Sequence, residues 1–192
     1  NNNKYPEEIR KTGVAHSTDH NPQYGKINPY WCGVNSVVES MRNVAATGAL
    51  PHAITDCLCF GNPEKPEQMW EFAEATKGVA DACKGIHLKN NPDHSIPIIA
   101  GNVSFYNESV GGAIPPSPIV SCLGRMSDVD KSITAGFKSK YSTIILIGKR
   151  EDELGGSAYY SLYDFLGKNL PKPNLSEVEA EMWALNELID KT

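Results

Sequence analysis

The sequence lacks the features that mark several large classes of protein. No apolar run is long enough to span a membrane, and the densest one covers only residues 144–147. The 16 glycines and 13 prolines in 192 residues are too few for a low-complexity or collagen-like chain. Basic residues do not predominate, because 18 Lys and Arg stand against 23 Asp and Glu. The net charge of -5 argues against a nucleic-acid partner, which would require a basic stripe.

Cysteine is also scarce, and its number is odd. The five cysteines follow no regular framework, which indicates reduced thiols and a cytoplasmic location. A chain of this length buries a substantial core without a disulfide or metal staple. We therefore expect a cytoplasmic globular protein, with neither a membrane nor a nucleic acid as its partner.

Hydrophobic periodicity predicts alternating helices and strands. Apolar residues at helical spacing predict a helix over 32–47, and Asn62 and Pro63 begin a second one that ends near Gly85. Short apolar runs predict strands over 52–60, 97–100, 119–123 and 143–147. The strand over 97–100 is predicted to be buried. Two further helices are predicted, one opening at residues 155–157 and one at a capping box formed by Ser176 and Glu179.

The densest group of polar residues follows the strand at 97–100. Gly101 allows a phosphate or metal to approach the backbone closely. Asn102 offers an amide oxygen to Mg²⁺, and Ser104 offers a hydroxyl to a phosphate or substrate. The alternative is a capped strand end with an Asx-turn, in which these side chains bond only to nearby backbone.

Asp56 is the second candidate, because it shares a strand face with Ile54 and Leu58. A carboxylate there could bind a nucleotide hydroxyl, a ring amine or a hydrated metal, or could instead accept hydrogen bonds from backbone amides. Cys57 and Cys59 share one face of the same strand, and we interpret them as packed small hydrophobic residues. A zinc site would need a second Cys or His pair at suitable spacing, and none stands out.

Five segments, in order along the chain, resemble phosphoribosylformylglycinamidine synthase. They cover residues 42–49, 56–64, 101–109, 113–118 and 154–157, and the 101–109 block is the most specific. The resemblance implies an α/β (α+β) fold. Residues 1–128 would form an amino-terminal domain like that of aminoimidazole ribonucleotide synthetase, with a mixed sheet packed by helices, in the second half of the duplicated synthetase. Residues 129–192 would form a linker and the truncated start of the carboxy-terminal domain.

The same resemblance implies a chemistry and a set of site residues. Family members use ATP and Mg²⁺ to phosphorylate the amide of formylglycinamide ribonucleotide, and ammonia from glutamine then displaces phosphate to give the amidine of de novo purine synthesis. By position, Asp56 and Gly101 match ATP contacts, Asn102 matches a Mg²⁺ ligand and Ser104 matches a substrate contact. The family's catalytic histidine belongs to the first half of the synthetase, outside this sequence, so we expect no catalysis by this chain alone.

The implied partners are the first half of the synthetase, a glutaminase subunit or domain and the small-molecule substrate. A sheet whose partner half is missing would expose an apolar face, so we also expect a homodimer. The alternative is a non-catalytic half that binds a nucleotide structurally or only supplies an assembly surface. A relative such as aminoimidazole ribonucleotide synthetase is a third possibility, which the 101–109 block disfavours.

Overall fold

The computed structural model describes residues 4–191, with the backbone alone at Glu8. The chain folds into strands and helices of two to 20 residues. The strands are β1 (Gly13–Asp19), β2 (Leu50–Cys59), β3 (His87–Leu88), β4 (Asn91–Ser95), β5 (Ile98–Ser104), β6 (Glu108–Ser109), β7 (Gly112–Ala113) and β8 (Ser117–Met126). The helices are α1 (Glu7–Lys11), α2 (Pro22–Ile27), α3 (Pro29–Ala46), α4 (Pro66–Gly85), α5 (Ala158–Ser161) and α6 (Leu175–Asp190), with a 3₁₀ turn at Val129–Lys131.

Four of the strands form one mixed sheet in the order β1-β8-β2-β5. β8 pairs antiparallel with both β1 and β2, whereas β5 pairs parallel with β2. The parallel pair needs a crossover, which α4 supplies between the two strands. The mixed sheet and its helical layer confirm the predicted fold class.

The helical layer covers one face of this sheet. α3 packs on β1, β2 and β8, and α4 packs on α3. Val37 and Met41 of α3 meet Ile54 of β2 and Val120 of β8 in the fully buried core. The opposite face is open in the part of the chain that the structure describes, since the outward-facing Val14 is 78% exposed.

Local sequence explains where α3 begins and how closely α4 approaches it. The helix begins at Pro29 rather than at residue 32, because the Asn28 side chain accepts a hydrogen bond from the Trp31 amide at 3.0 Å and caps the first turn. In α4, a Cβ atom on Gly78 would lie 2.9 Å from the carbonyl carbon of Tyr30. Only glycine permits this approach of two helix backbones.

The residues after β8 fold back onto the helical layer. Val178 and Met182 of α6 belong to the main core, next to α3. The buried Asn186 amide donates hydrogen bonds to the carbonyls of Ala45 at 3.2 Å and Ala49 at 3.1 Å, which lie at the carboxyl end of α3. The division between residues 128 and 129 stays a prediction.

Two helices begin at residues other than the predicted ones. α4 begins at Pro66, because the Asn62 side chain caps a tight turn by accepting from the Glu64 amide at 2.9 Å. α6 is capped by Asn174, not by Ser176. The Glu179 carboxylate, predicted to complete the capping box, instead accepts from the backbone amide of His87 at 2.6 Å.

Two predicted elements between residues 143 and 166 are wrong. Residues 143–147 form no strand, and Ile144 is 78% exposed, since no neighbouring strand pairs with them among residues 4–191. The helix predicted from residue 155 is reduced to α5, which the Ser157 side chain caps. Asp164 has a left-handed backbone with φ of 51°, which ends any continuation of that helix.

Candidate nucleotide site

Asp56 and Gly101 face each other across the parallel β2–β5 pair. They are direct partners in the register, and the Asp56 side chain lies on the helix-covered side of the sheet with Ile54 and Leu58. A Cβ atom on residue 101 would lie 2.8 Å from Asp56 Cγ and 2.9 Å from Oδ2. Any larger residue at position 101 would clash with the Asp56 carboxylate in this position.

The Asp56 carboxylate has no hydrogen-bond or ion-pair partner among the residues that the structure describes, although it is only partly exposed. Burial raises the pKa of this carboxyl above its usual range. The alternative in which Asp56 accepts hydrogen bonds from backbone amides is thus not the arrangement found. A half-buried acceptor without a partner is available to an N–H or O–H donor from outside the chain.

The strand beside Asp56 is an exposed edge, although the sequence predicted a buried strand at residues 97–100. α4 packs mainly on α3 and leaves β5 uncovered. Ile99 and Val103, which share the face of Gly101, are 59% and 47% exposed. Together they form an apolar strip, interrupted by Gly101 and bordered by the Asp56 carboxylate, that suits a flat ring carrying a hydrogen-bond donor.

Asn102 and Ser104 lie on the opposite, open face of the sheet. The Asn102 amide Nδ2 donates to Cys57 Sγ at 3.4 Å. Ser104 belongs to a strand-end cap, in which the Asn107 amide Nδ2 donates to the carbonyls of Ser104 at 2.8 Å and Phe60 at 2.9 Å. The four predicted site residues are therefore neighbours along two strands, but the sheet separates Asp56 and Gly101 from the other two.

The side chains around Asn102 do not fit a resident Mg²⁺ ion. Magnesium prefers hard oxygen ligands, whereas the Asn102 amide nitrogen donates a hydrogen bond to the thiol sulfur of Cys57. Among residues 4–191, no group of three or more His, Cys, Asp and Glu side chains is arranged to hold a metal ion. No chemical step through a protein-bound Mg²⁺ follows from this arrangement.

A cavity of about 650 Å³ lies away from these four residues, between α3, α6 and the extended segment at residues 145–150. Glu39, Arg42 and Arg150 give its wall a mixed charge. None of the predicted site residues lines it, so the candidate site remains the one at Asp56.

Among the residues described, no helix has the length and hydropathy needed to cross a membrane.

Replacing Asp56 with asparagine should stabilise the chain slightly at neutral pH. Because the folded-state pKa is raised, the folded protein favours the protonated carboxyl, and its ionisation costs stability at pH values above that pKa. The partly exposed position limits the gain in unfolding free energy to about 0.5 kcal/mol. The gain should shrink as the pH falls through the carboxyl range, and urea unfolding at pH 7 and at pH 4 measures the unfolding free energy of both chains at each pH. A loss of stability at pH 7 would contradict an unpartnered carboxylate.

Comparisons with known proteins agree with this architecture. The model of the family described as "AIR synthase related protein, N-terminal domain" matches residues 8–126. The phosphoribosylformylglycinamidine synthase subunit PurL of Methanothrix thermoacetophila is 48% identical over 95% of this chain, which spans 24% of that protein.

Two solved structures of PurL from Thermotoga maritima extend the comparison. The one complexed with ATP is 28% identical over 64% of this chain and 19% of its own, with a TM-score of 0.55. The one complexed with FGAR matches 95% of this chain and 24% of its own with a TM-score of 0.61, and at 21% identity it supports the fold alone. The matched residues and the mixed sheet together show that this chain belongs to the AIR synthase related protein family, through its N-terminal domain.

Proposed function

We propose that this chain is part of the ATP-dependent ligase that converts formylglycinamide ribonucleotide and glutamine-derived ammonia to the amidine in the cytoplasm. The observation that carries the proposal is its 48% identity, over 95% of its length, to a phosphoribosylformylglycinamidine synthase subunit. The chain spans about a quarter of that relative, so the complete reaction requires the remaining parts of the enzyme.

The nucleotide role rests on Asp56 and Gly101. An unpartnered carboxylate beside an exposed apolar strip can accept a hydrogen bond from a ring amine or a ribose hydroxyl while the strip contacts the ring. The ATP complex of the Thermotoga maritima relative supports a nucleotide as the ligand.

The roles of Asn102 and Ser104 rest on the resemblance. Mg²⁺ would enter with the nucleotide, held mainly by phosphate oxygens and water. Because Asn102 lies on the sheet face opposite Asp56 and Gly101, its role as a Mg²⁺ ligand requires the phosphates to pass around the edge strand β5. Ser104 can offer its hydroxyl to the substrate from the open face, although Asn107 holds it at 3.1 Å in the strand-end cap.

A second candidate function is a non-catalytic half that binds the nucleotide structurally and supplies an assembly surface. The open face of the sheet favours it, because the outward-facing Val14 there is 78% exposed. A sheet face of this kind requires a cover, which the first half of the synthetase or a second copy of this chain would provide. A glutaminase subunit or domain is the further partner that the ammonia-dependent chemistry implies.

The test is complementation by the first half of the synthetase. The two parts are mixed with ATP, Mg²⁺, formylglycinamide ribonucleotide and ammonia, and ADP release is measured for wild type, Asp56→Ala and the exposed control Asp93→Ala. Sedimentation of each mixture reports assembly, and sedimentation of this chain alone reports homodimers.

We expect activity that requires this chain, falls at least tenfold with Asp56→Ala and is unchanged with Asp93→Ala. Assembly with undiminished activity for Asp56→Ala would favour the structural half. Assembly of wild-type parts without ADP release would contradict the ligase proposal.

A further inference from the structure

Two cysteine thiols lie side by side on the open face of the sheet. Cys57 and Cys59 are half-buried on β2, and their sulfur atoms are 3.7 Å apart. Burial and the neighbouring Cys57 thiol raise the pKa of Cys59, but both of these thiols remain partly exposed. The remaining cysteines are buried, and burial raises their pKa values to about 12. Those buried thiols stay protonated and do not compete for a ligand in water. The buried cysteines are Cys32, Cys83 and Cys122.

Strand geometry prevents these two thiols from forming a disulfide in place. Residues two apart on a strand are separated by about 6.6 Å, and their Cβ atoms point the same way. A disulfide needs Cβ atoms about 3.5–4.5 Å apart. Both cysteines are paired with β5 on one side and β8 on the other, so bending β2 to close that gap would break two ladders.

The same separation fits two sulfur ligands of one metal ion. Two thiolates at about 2.3 Å from a tetrahedral zinc ion lie about 3.8 Å apart. The observed sulfur separation of 3.7 Å therefore allows one ion to bridge the pair with the strand unmoved. Thiolates favour soft or borderline cations such as Zn²⁺ and Cd²⁺ over Mg²⁺.

Asn102 supplies a third donor at the same place. Its amide nitrogen is 3.4 Å from Cys57 Sγ, and rotation of the amide by half a turn places the carbonyl oxygen there instead. Since Asn102 is the register partner of Cys57 on the adjacent strand, all three donors sit on rigid backbone. Water completes a four-coordinate shell.

We propose that Cys57, Cys59 and Asn102 form a binding site for one thiophilic divalent cation of the zinc class. On binding, each thiol transfers its proton to solvent and forms a metal–sulfur bond, with no change in oxidation state. This site competes for Asn102 with the Mg²⁺ role that the resemblance implies, and it does not depend on the proposed ligase function.

The experiment is a titration of the reduced chain with Cd²⁺, followed by sulfur-to-metal charge-transfer absorption and by calorimetry. We expect one ion per chain. Cys57→Ser and Cys59→Ser should each weaken binding more than tenfold, since even outer-shell changes cost about 10–100-fold. Asn102→Ala should weaken it less, and the buried-thiol control Cys83→Ala should leave it unchanged.

A second measurement needs no variant. Cd²⁺ should protect Cys57 and Cys59 of the native protein from alkylation, and mass spectrometry maps which thiols are modified. Unchanged alkylation of both residues at saturating Cd²⁺ would overturn the proposal. One ion per two chains would also overturn it, because the ligands would then come from different copies.

Discussion

The Gly78→Ala variant is expected to unfold with a free energy about 2 kcal/mol below that of the wild-type chain. The added methyl group would lie 2.9 Å from the Tyr30 carbonyl carbon and 3.2 Å from its Cα, so the backbones of α3 and α4 must separate. A methyl group forced against backbone atoms costs about 3 kcal/mol, the upper end for overpacking, and alanine in a helix interior regains about 1 kcal/mol. For a chain of this size, Tm should fall by roughly 4–8 °C.

Gly136→Ala is the matched control for this stability measurement. A Cβ atom at residue 136 meets nothing within 4 Å, so the unfolding free energy should change by less than about 0.5 kcal/mol. Urea unfolding of both variants separates the helix contact from the general effect of replacing glycine. A Gly78→Ala chain as stable as the control would mean that the two helices do not approach as closely as described.

Gly101→Ala is expected to reduce ATP affinity at least tenfold with little change in fold. The new methyl group would meet Asp56 at 2.8 Å from Cγ, and the carboxylate would rotate away from the apolar strip because its end is free to move. The readout is the rise in Tm that saturating ATP causes in the wild-type chain, which depends on the ratio of ligand concentration to Kd.

A double variant distinguishes this displacement from other effects of the methyl group. If Gly101→Ala acts by moving Asp56, then Asp56→Ala and the double variant should show the same ATP affinity, which is a strong departure from additivity. Gly111→Ala is the control, because its Cβ meets only Ser109 Oγ, at 3.7 Å. Additive losses would contradict the steric mechanism, and a wild-type chain whose Tm ATP leaves unchanged would contradict the nucleotide role.

Much of the fold was accessible from local patterns. The helical spacing of Val34, Val37 and Met41 predicted α3. The turn residues after Phe60 marked the end of β2 and the connection to α4. Asp56 drew attention because a carboxylate on an apolar strand face conflicts with its neighbours. The structure shows that this conflict is real, since the carboxylate has no partner among residues 4–191.

What the sequence could not predict depends on non-local pairing. The register that sets Gly101 opposite Asp56, and Asn102 opposite Cys57, joins strands far apart in the chain. That register decides which face each side chain occupies, and hence that the four residues divide between two faces. The strand predicted at residues 143–147 does not form for a related reason, because an apolar run becomes a strand only where another strand pairs with its backbone.

The position of β8 within the sheet has a consequence for folding during synthesis. β8 is the last strand of the sheet in the chain, yet it lies between β1 and β2 and pairs with both, from Gly13↔Met126 to Cys59↔Ser117. Until the ribosome has released residue 126, β1 has no partner and β2 has an open edge on the side away from β5. The four-stranded sheet is therefore completed late, through contacts of high sequence separation that slow folding. A chain interrupted before β8 would leave exposed strand edges that favour aggregation.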